Sequence, residues 1–177
     1  MTQDLEFLKS SYEENNAFVK NNLSLFGEID QRFRFVAPKN RLENADRLRE
    51  SWLKGRDKRA YIAKISDQKV GYFYGEQQDA SSFYMRVSVI DKKFRGQGIY
   101  SRFLDFFLSE LKEAGYERVV SDHKPHNLGV LIPKLKAGFY IHGMHFDERW
   151  GNLVRLVYFP HQDRRKFYED ICTPAMP

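Results

Sequence analysis

The fold of this chain is decided by residues 83–100, which read FYMRVSVIDKKFRGQGIY. Apolar and polar side chains alternate over residues 83–89, which is the period of a β-strand with two different faces. A basic segment follows, and its Gly-Gln-Gly core at 96–98 permits a tight turn. Over residues 103–111 the apolar side chains recur at helical spacing, and Gly115 is a suitable helix stop. The stretch therefore predicts a strand, a glycine loop and an amphipathic helix.

The glycine loop has the properties of an anion site. N–H groups at a helix N-terminus lack intrahelical acceptors, and Lys92, Lys93 and Arg95 add positive charge beside them. An ordinary strand-to-helix turn with two glycines is the alternative. A Walker loop needs Gly-Lys-Ser/Thr at its end, whereas Ile-Tyr follows Gly98. A Rossmann loop normally follows the first strand of its domain, whereas about 80 residues precede this one.

The loop resembles the acetyl-CoA loop of the GNAT N-acetyltransferases, which has the pattern Arg/Gln-x-x-Gly-x-Gly/Ala after an aromatic residue, here Phe94. The matching residues are Arg95, Gly96, Gln97, Gly98, Ile99 and Tyr100. The family has a small residue where Tyr100 stands. A second family motif, an asparagine followed eleven residues later by Gly-Phe, resembles Asn127 and Gly138-Phe139.

The remaining sequence predicts the order of the other elements. A helix is expected over residues 2–20, a strand over 32–36 and a second helix over 42–53. Three residues of the second helix are expected to face inward: Ala45, Leu48 and Trp52. The later strands and helices are expected at 60–65, 70–75, 83–90, 100–114, 118–121, 127–137, 139–146 and 153–159. Pro133 should kink the helix that starts near Asn127 or delay its start.

This order is similar to that of the α/β (α+β) GNAT acyl-CoA N-acyltransferase fold. The resemblance implies a mixed, mostly antiparallel central sheet that is flanked by helices and contains two splayed central strands. It also implies a GNAT acetyltransferase domain over residues 31–160. An N-terminal helical extension is expected over 1–30 and a charged C-terminal tail, with one or two helical turns, over 161–177.

Composition limits the function classes further. The 177 residues are 42% hydrophobic and 30% charged, with a net charge of +5 and a pI near 9.2. This balance favours anionic ligands, but no motif for reading nucleic acid occurs and no segment is apolar enough to span a membrane. Cys172 is the one cysteine, so no disulfide framework or metal site is predicted. A cytoplasmic protein is expected, and a homodimer is left open.

The resemblance also implies residues that bind the cosubstrate, acetyl-CoA. The backbone of Ser88, Val89 and Ile90 would hydrogen-bond the pantetheine arm as an added strand does. The N–H groups of Gly96–Tyr100 would hold the pyrophosphate. Asn127 would contact the cosubstrate or, as an equal alternative, only cap its helix.

Acyl transfer to an amine needs a base and a proton donor. Asp122 and His123, with His126 nearby, follow the strand closest to the expected acyl group, and they are the candidate bases. Many GNAT enzymes have a tyrosine as the acid seven residues after the asparagine, and Lys134 stands at that position. The alternative proton donors are Tyr84, Tyr100 and Tyr140. Two candidates for the acceptor pocket are Glu76 and Arg86, of which Arg86 would favour an acceptor with a carboxylate or phosphate.

The resemblance therefore implies an N-acetyltransferase that moves an acetyl group from acetyl-CoA directly to a primary amine in a ternary complex. The acceptor would be a small molecule or a peptide. The first alternative is a non-catalytic CoA-binding or regulatory domain, which the lysine at position 134 would suit. A phosphate-binding α/β protein of another class, such as a nucleotide binder, is the second.

Overall fold

The computed structural model describes residues 4–21 and 39–172 of the chain. Its strands are β1 (Leu5–Lys9), β2 (Lys58–Ile65), β3 (Gln68–Gln77), β4 (Ser82–Ile90), β5 (Arg118–His123), β6 (Tyr140–Asp147) and β7 (Gly151–Tyr158). Its α-helices are α1 (Tyr12–Asn21), α2 (Lys39–Leu53), α3 (Ile99–Glu113), α4 (Leu128–Lys136) and α5 (Gln162–Cys172). The strand predicted at 32–36 lies outside the described residues.

The strands form one sheet in the order β1-β2-β3-β4-β5-β7-β6. Only the β4–β5 pair of the described sheet is parallel, and every other neighbouring pair is antiparallel. The predicted mixed, mostly antiparallel sheet is therefore confirmed. Parallel strands need a crossover connection, and α3 provides it between β4 and β5.

Helix α3 covers one face of the sheet with the apolar stripe that its sequence predicts. The stripe is buried from Ile99 to Leu111. The ring of Phe103 stacks on that of Phe73 in β3 at a centroid distance of 3.5 Å. Phe107 meets Phe83 of β4 edge to face at 5.5 Å. Full burial of one such ring contributes about 1.5–3 kcal/mol, so this aromatic layer fixes α3 against the sheet.

Two of the element predictions near the N-terminus are wrong. The helix expected over residues 2–20 begins only at Tyr12, because Leu5–Lys9 pairs with β2 as an edge strand. Phe7 of this strand packs against Phe103 at 5.4 Å. In α2 the three residues expected to face inward are exposed, including Trp52, whose ring lies 3.2 Å from the guanidinium carbon of Arg56. The C-terminal helix α5 is longer than the one or two turns expected.

Candidate functional site

Strands β4 and β5 lie side by side and then separate. They pair at only three positions, where Ser82–Tyr84 faces Arg118–Val120. Beyond these positions β4 continues beside β3 and β5 continues beside β7. The facing edges of Met85–Ile90 and Ser121–His123 are therefore not paired with each other. An extended ligand can add to the open edge of β4 as a strand does.

The loop between β4 and α3 ends in an open helix N-terminus. Gly96 and Gly98 have φ values of +77° and +75°, and Gly98 is the N-cap residue of α3. No hydrogen bond from a described side chain caps this end, and the first turn of α3 contains no acidic residue. A Cβ atom at either glycine would meet nothing within 4 Å. The first N–H groups of α3 are therefore available to an anion such as a phosphate.

The N-terminus of α4 lies at the same end of the sheet, because α3 and α4 each follow one of the two parallel strands. Asn127 is the N-cap residue of α4, as predicted, but its exposed side chain makes no capping hydrogen bond. Pro133 lies within the helix and does not delay its start at Leu128. Ligands of open sheets bind outside the C-terminal ends of parallel strands. The loop, the open strand edge and Asn127 all lie at that end.

The side chain of Lys134 reaches from α4 to the point where the strands separate. Its Nζ atom lies 2.6 Å from Oγ of Ser121 in β5 and 3.4 Å from Sδ of Met85 in β4. The Phe139 ring centre is 4.7 Å away, and the side chain is fully buried. Burial lowers the pKa of Lys134 to about 7, although the charge of Asp122 opposes this effect. Ammonium and amine forms therefore coexist near neutral pH.

His123 extends the same hydrogen-bonded group. Its Nε2 atom lies 3.0 Å from the Oγ atom of Ser121. The two residues share one face of β5 because they are two positions apart. Burial, followed by the charge of Lys134, lowers the pKa of His123 to about 3 against the opposing charge of Asp122. The imidazole is therefore neutral at pH 7, and Ser121 connects it to Lys134.

Asp122 lies on the other face of the sheet. The Nε and Nη2 atoms of Arg155 donate to its two oxygens at 2.9 and 2.8 Å, and the Tyr84 hydroxyl donates at 3.0 Å. The Nδ1 atom of His145 lies 3.9 Å from the Oδ1 atom of Asp122. Burial alone would raise the pKa of Asp122, but the hydrogen bonds and charge of Arg155, helped by Tyr84 and His145, lower it below its usual value. Asp122 is therefore a carboxylate at neutral pH.

The two candidates for the acceptor pocket form an ion pair with each other. The carboxylate of Glu76 is buried, accepts a hydrogen bond from the Tyr74 hydroxyl at 2.8 Å and pairs with the Arg86 guanidinium. The register of β3 and β4 shifts at Gly75, so Arg86 is an extra residue without a partner across the ladder. Such a bulge redirects side chains and ends regular pairing. The bulge at Arg86 lies next to the point where β4 separates from β5.

The other sequence candidates lie in different environments. His126 is exposed in the turn before α4. The hydroxyl of Tyr140 contacts Glu169 of α5. The ring of Tyr100 is buried in the core and stacks with Phe73 at 6.2 Å, and burial raises its pKa. The large residue at this loop position therefore points into the core.

Sequence reasoning missed three residues of this region, namely Ser121, His145 and Arg155. Arg155 carried a signal, because it interrupts the apolar run Leu153–Val157, and a charged residue in a buried strand needs a partner. The partner, Asp122, depends on the β5–β7 register, which the sequence does not reveal. Among the described residues no cluster of three His, Cys, Asp or Glu side chains could hold a metal ion. No helix of that same part is long and apolar enough to cross a membrane.

Sequence comparison matches residues 25–132 to the family described as "Acetyltransferase (GNAT) family". The matched range includes β4, the glycine loop, β5 and Asn127, and it ends two residues before Lys134. None of the curated proteins has a sequence that matches this chain.

Solved structures of low sequence identity share the fold. An acetyltransferase named IAA acetyltransferase from Bacillus cereus aligns with a TM-score of 0.62 at 14% identity, over 88% of this chain and 99% of that chain. A variant of the spermidine N-acetyltransferase from Vibrio cholerae aligns with a TM-score of 0.64 at 12% identity, over 89% of this chain and 94% of that chain. A GNAT family acetyltransferase from Elizabethkingia anophelis with acetyl-CoA bound aligns with a TM-score of 0.59 at 16% identity, over 89% of this chain and 99% of that chain.

Proposed function

The chain belongs to the GNAT family of acetyltransferases, and we propose that it is an N-acetyltransferase that moves an acetyl group from acetyl-CoA to a primary amine. The acceptor is a small molecule or a peptide, and both substrates bind together before direct transfer. One observation carries the proposal: the open N-terminus of α3 and the unpaired edge of β4 lie at the same end of the separating strands. A ligand with a diphosphate and an extended arm fits such a site.

The residues around the separation suit acetyl-CoA. The amides of Gly96–Tyr100, with the charge of Arg95, would hold the pyrophosphate, since nothing fills the space beside the two left-handed glycines. The backbone of Ser88–Ile90 would hydrogen-bond the arm along the open edge of β4. The side chain of Asn127 would contact the arm from α4. Acetyl-CoA supplies the activated acyl group when it is bound.

Transfer forms one bond between the amine nitrogen and the acyl carbon and breaks the bond between that carbon and sulfur. An ammonium substrate first releases one proton to water, and the neutral amine then loses one proton as the departing sulfur gains one. The chain must therefore offer a proton acceptor beside the amine and a proton donor beside the sulfur.

Lys134 is our proposed proton donor. It occupies the position of the tyrosine that many relatives use, and its Nζ atom contacts the first residue of each strand beyond the last β4–β5 pair. Its pKa of about 7 leaves it partly protonated near neutral pH and lets it give up that proton readily. After transfer, Ser121 and His123 form a hydrogen-bonded route along which a proton can return to it.

Asp122 and His123 are our proposed groups for guiding away the proton that the amine loses. They are adjacent in β5 but face opposite sides of the sheet, so they reach the separation from both sides. Asp122 is ionised and held by Arg155, which suits a carboxylate that orients the ammonium or acts through water. His123 is neutral with a pKa of about 3, so it is too weak a base to keep that proton and would only relay it through hydrogen bonds.

We further propose residues 31–160 as the transferase domain, flanked by segments 1–30 and 161–177, with β1 adding to its sheet. The exposed thiol of Cys172 suits a reducing compartment, and we propose the cytoplasm.

The experiment is a thiol-release assay with acetyl-CoA across a panel of primary amines, in which mass spectrometry detects the acetylated product. We expect stoichiometric release of CoA and acetylated amine. Binding of acetyl-CoA without turnover on any amine would instead support a non-catalytic CoA-binding or regulatory domain, for which the replacement of the family tyrosine by Lys134 is the supporting observation.

A further inference from the structure

The face of the sheet opposite α3 carries a connected set of polar side chains, here called the arginine strip: Glu76, Tyr84, Arg86, Asp122 and Arg155. Glu76 pairs with Arg86, and Asp122 pairs with Arg155. Tyr84 joins the two pairs, because its ring centre lies 5.3 Å from the Arg86 guanidinium carbon and its hydroxyl donates to Asp122. The strip therefore crosses from β3 to β7 over the place where β4 and β5 separate.

The two charges of each pair are unequally exposed. The side chains of Glu76 and Asp122 are 3% and 6% exposed, whereas those of Arg86 and Arg155 are 45% and 37% exposed. Four unit charges cancel within the strip, but the part that a ligand can touch consists of guanidinium groups. An arginine side chain stays charged at every physiological pH, so this outer surface is permanently cationic.

Each arginine retains donor groups after it has paired. Arg86 uses Nε and Nη2 toward Glu76, and Arg155 uses Nε and Nη2 toward Asp122. The Nη1 atoms of both arginines have no partner within residues 4–21 and 39–172. Because the buried carboxylates fix both guanidinium planes, these donors are oriented before a ligand arrives. A planar oxyanion is the group that arginine donors match best.

We propose that the acceptor is a primary amine that also carries a carboxylate, and that Arg86 and Arg155 bind this carboxylate while the amine points into the separation between β4 and β5. This inference rests on the proposed function and names its substrate class. A cationic acceptor, such as a polyamine, would bring like charges against the two guanidinium groups. A neutral amine would not bind the outer N–H donors of the two arginines, which would then be hydrated.

The test compares three sets of acceptors with the same side chains: free amino acids, their carboxamides and the corresponding decarboxylated amines. We expect the kcat/KM of the best free amino acid to exceed that of its carboxamide and its decarboxylated amine by about tenfold or more. A diamine series serves as the cationic comparison. Equal or greater kcat/KM for the carboxamides, the decarboxylated amines or the diamines overturns the inference.

A double variant assigns the preference to the strip. Glu76→Gln with Arg86→Gln removes one whole ion pair and leaves no buried unpaired charge. We expect the ratio of kcat/KM for amino acid over carboxamide to fall at least threefold. The matched control is Glu117→Gln with Arg164→Gln, a second arginine–carboxylate pair, which lies outside the strip and whose side chains are 40% and 39% exposed. An unchanged ratio in the first variant, or an equal fall in the control, overturns the inference.

The failure of this inference can be told apart from the failure of the proposed function. Acetyl-CoA binding, together with acetylation of amines that lack a carboxylate, would leave the N-acetyltransferase proposal standing and remove only the substrate class. If acetyl-CoA does not bind to the folded chain, both fail.

Discussion

The Nζ atom of Lys134 lies 2.6 Å from the Oγ atom of Ser121 in a fully buried position. The contact joins α4 to the first residue of β5 beyond its last pair with β4. A lysine in this position has an unusual pKa because burial disfavours its charged form. The proposed proton transfer depends on that pKa. As the pH rises, the lysine should therefore lower the activity and raise the stability of the fold.

Activity should fall as the pH rises through about 7, the pKa of Lys134, because the proposed donor loses its proton there. We expect this alkaline decline in kcat measured with both substrates saturating. Lys134→Met should remove the decline and lower kcat by about 10²-fold, the lower end of the range for a general acid. Lys134→Tyr should move the decline upward, toward the ordinary tyrosine pKa of about 10. An unaltered pH profile in both variants would contradict the assigned role.

Stability should change with pH in the opposite sense. The folded-state pKa of Lys134 is about 7, below its ordinary value of 10.5, so the unfolded chain binds more protons between these values. The free energy of unfolding therefore contains a contribution that rises with pH over this window, by at most about 1.4 kcal/mol per pH unit. The measurement is urea unfolding of the wild type and Lys134→Met from pH 6 to 10. The free energy of unfolding of the wild type should increase with pH relative to that of the variant. A difference that stays constant with pH would rule out the buried neutral lysine.

Arg155→Gln should destabilise the chain more at pH 7 than at pH 3. The pKa of Asp122 is lowered in the folded state, so this carboxylate stabilises the fold above its ordinary pKa near 3.8 and loses that contribution as the pH falls through the folded value. Because the Arg155 side chain is 37% exposed, we expect a loss of about 1–2 kcal/mol at neutral pH. Thermal unfolding at both pH values measures it. A larger loss at pH 3 would show that the pair does not hold the carboxylate.

Gly75→Ala should destabilise the chain by about 1–3 kcal/mol, because an added Cβ would lie 2.3 Å from Cε1 of Phe83 and 2.7 Å from the carbonyl oxygen of Tyr84. Gly129→Ala is the matched control, since nothing lies within 4 Å of its Cβ and alanine favours a helix. We expect the control to be neutral or slightly stabilising. Equal effects in chemical denaturation would contradict the close approach of β3 and β4 at this glycine.

The glycine loop and its flanking elements, which we propose as the cosubstrate end of the site, could be predicted because their signals are local. The alternation of β4, the glycine loop and the stripe of α3 are consecutive in the chain, so they follow from backbone preferences and hydrophobic spacing. Helix α4 also begins after Asn127, where the residue type predicts a start, although the side chain makes no capping hydrogen bond.

At the proposed acceptor end the sequence predicts Glu76, Arg86 and Asp122 as candidates, but it does not predict the partner of Asp122, because that contact joins distant residues. Asp122 and Arg155 meet only through the register of β5 and β7, and their 33-residue separation leaves no local pattern. The sequence does not predict strand β1 for a similar reason. Its short apolar pattern fits a helix stripe equally well, and only pairing with β2 and the packing of Phe7 select the strand. Hydrophobic spacing alone predicts that Trp52 faces the core, whereas its ring packs against Arg56 at the surface.

The most direct test of the account is calorimetric titration of acetyl-CoA into the wild type, Gly98→Glu and Gly115→Glu. Both glycines flank α3 in left-handed conformations, with φ of +75° and +84° and with nothing within 4 Å of an added Cβ. The two substitutions therefore carry the same backbone strain and charge, but only position 98 faces the proposed pyrophosphate. We predict binding to the wild type and Gly115→Glu, and a Kd at least tenfold weaker for Gly98→Glu, or about 1.4 kcal/mol. No binding to the folded wild type at millimolar acetyl-CoA, or equal binding by both variants, would contradict the account.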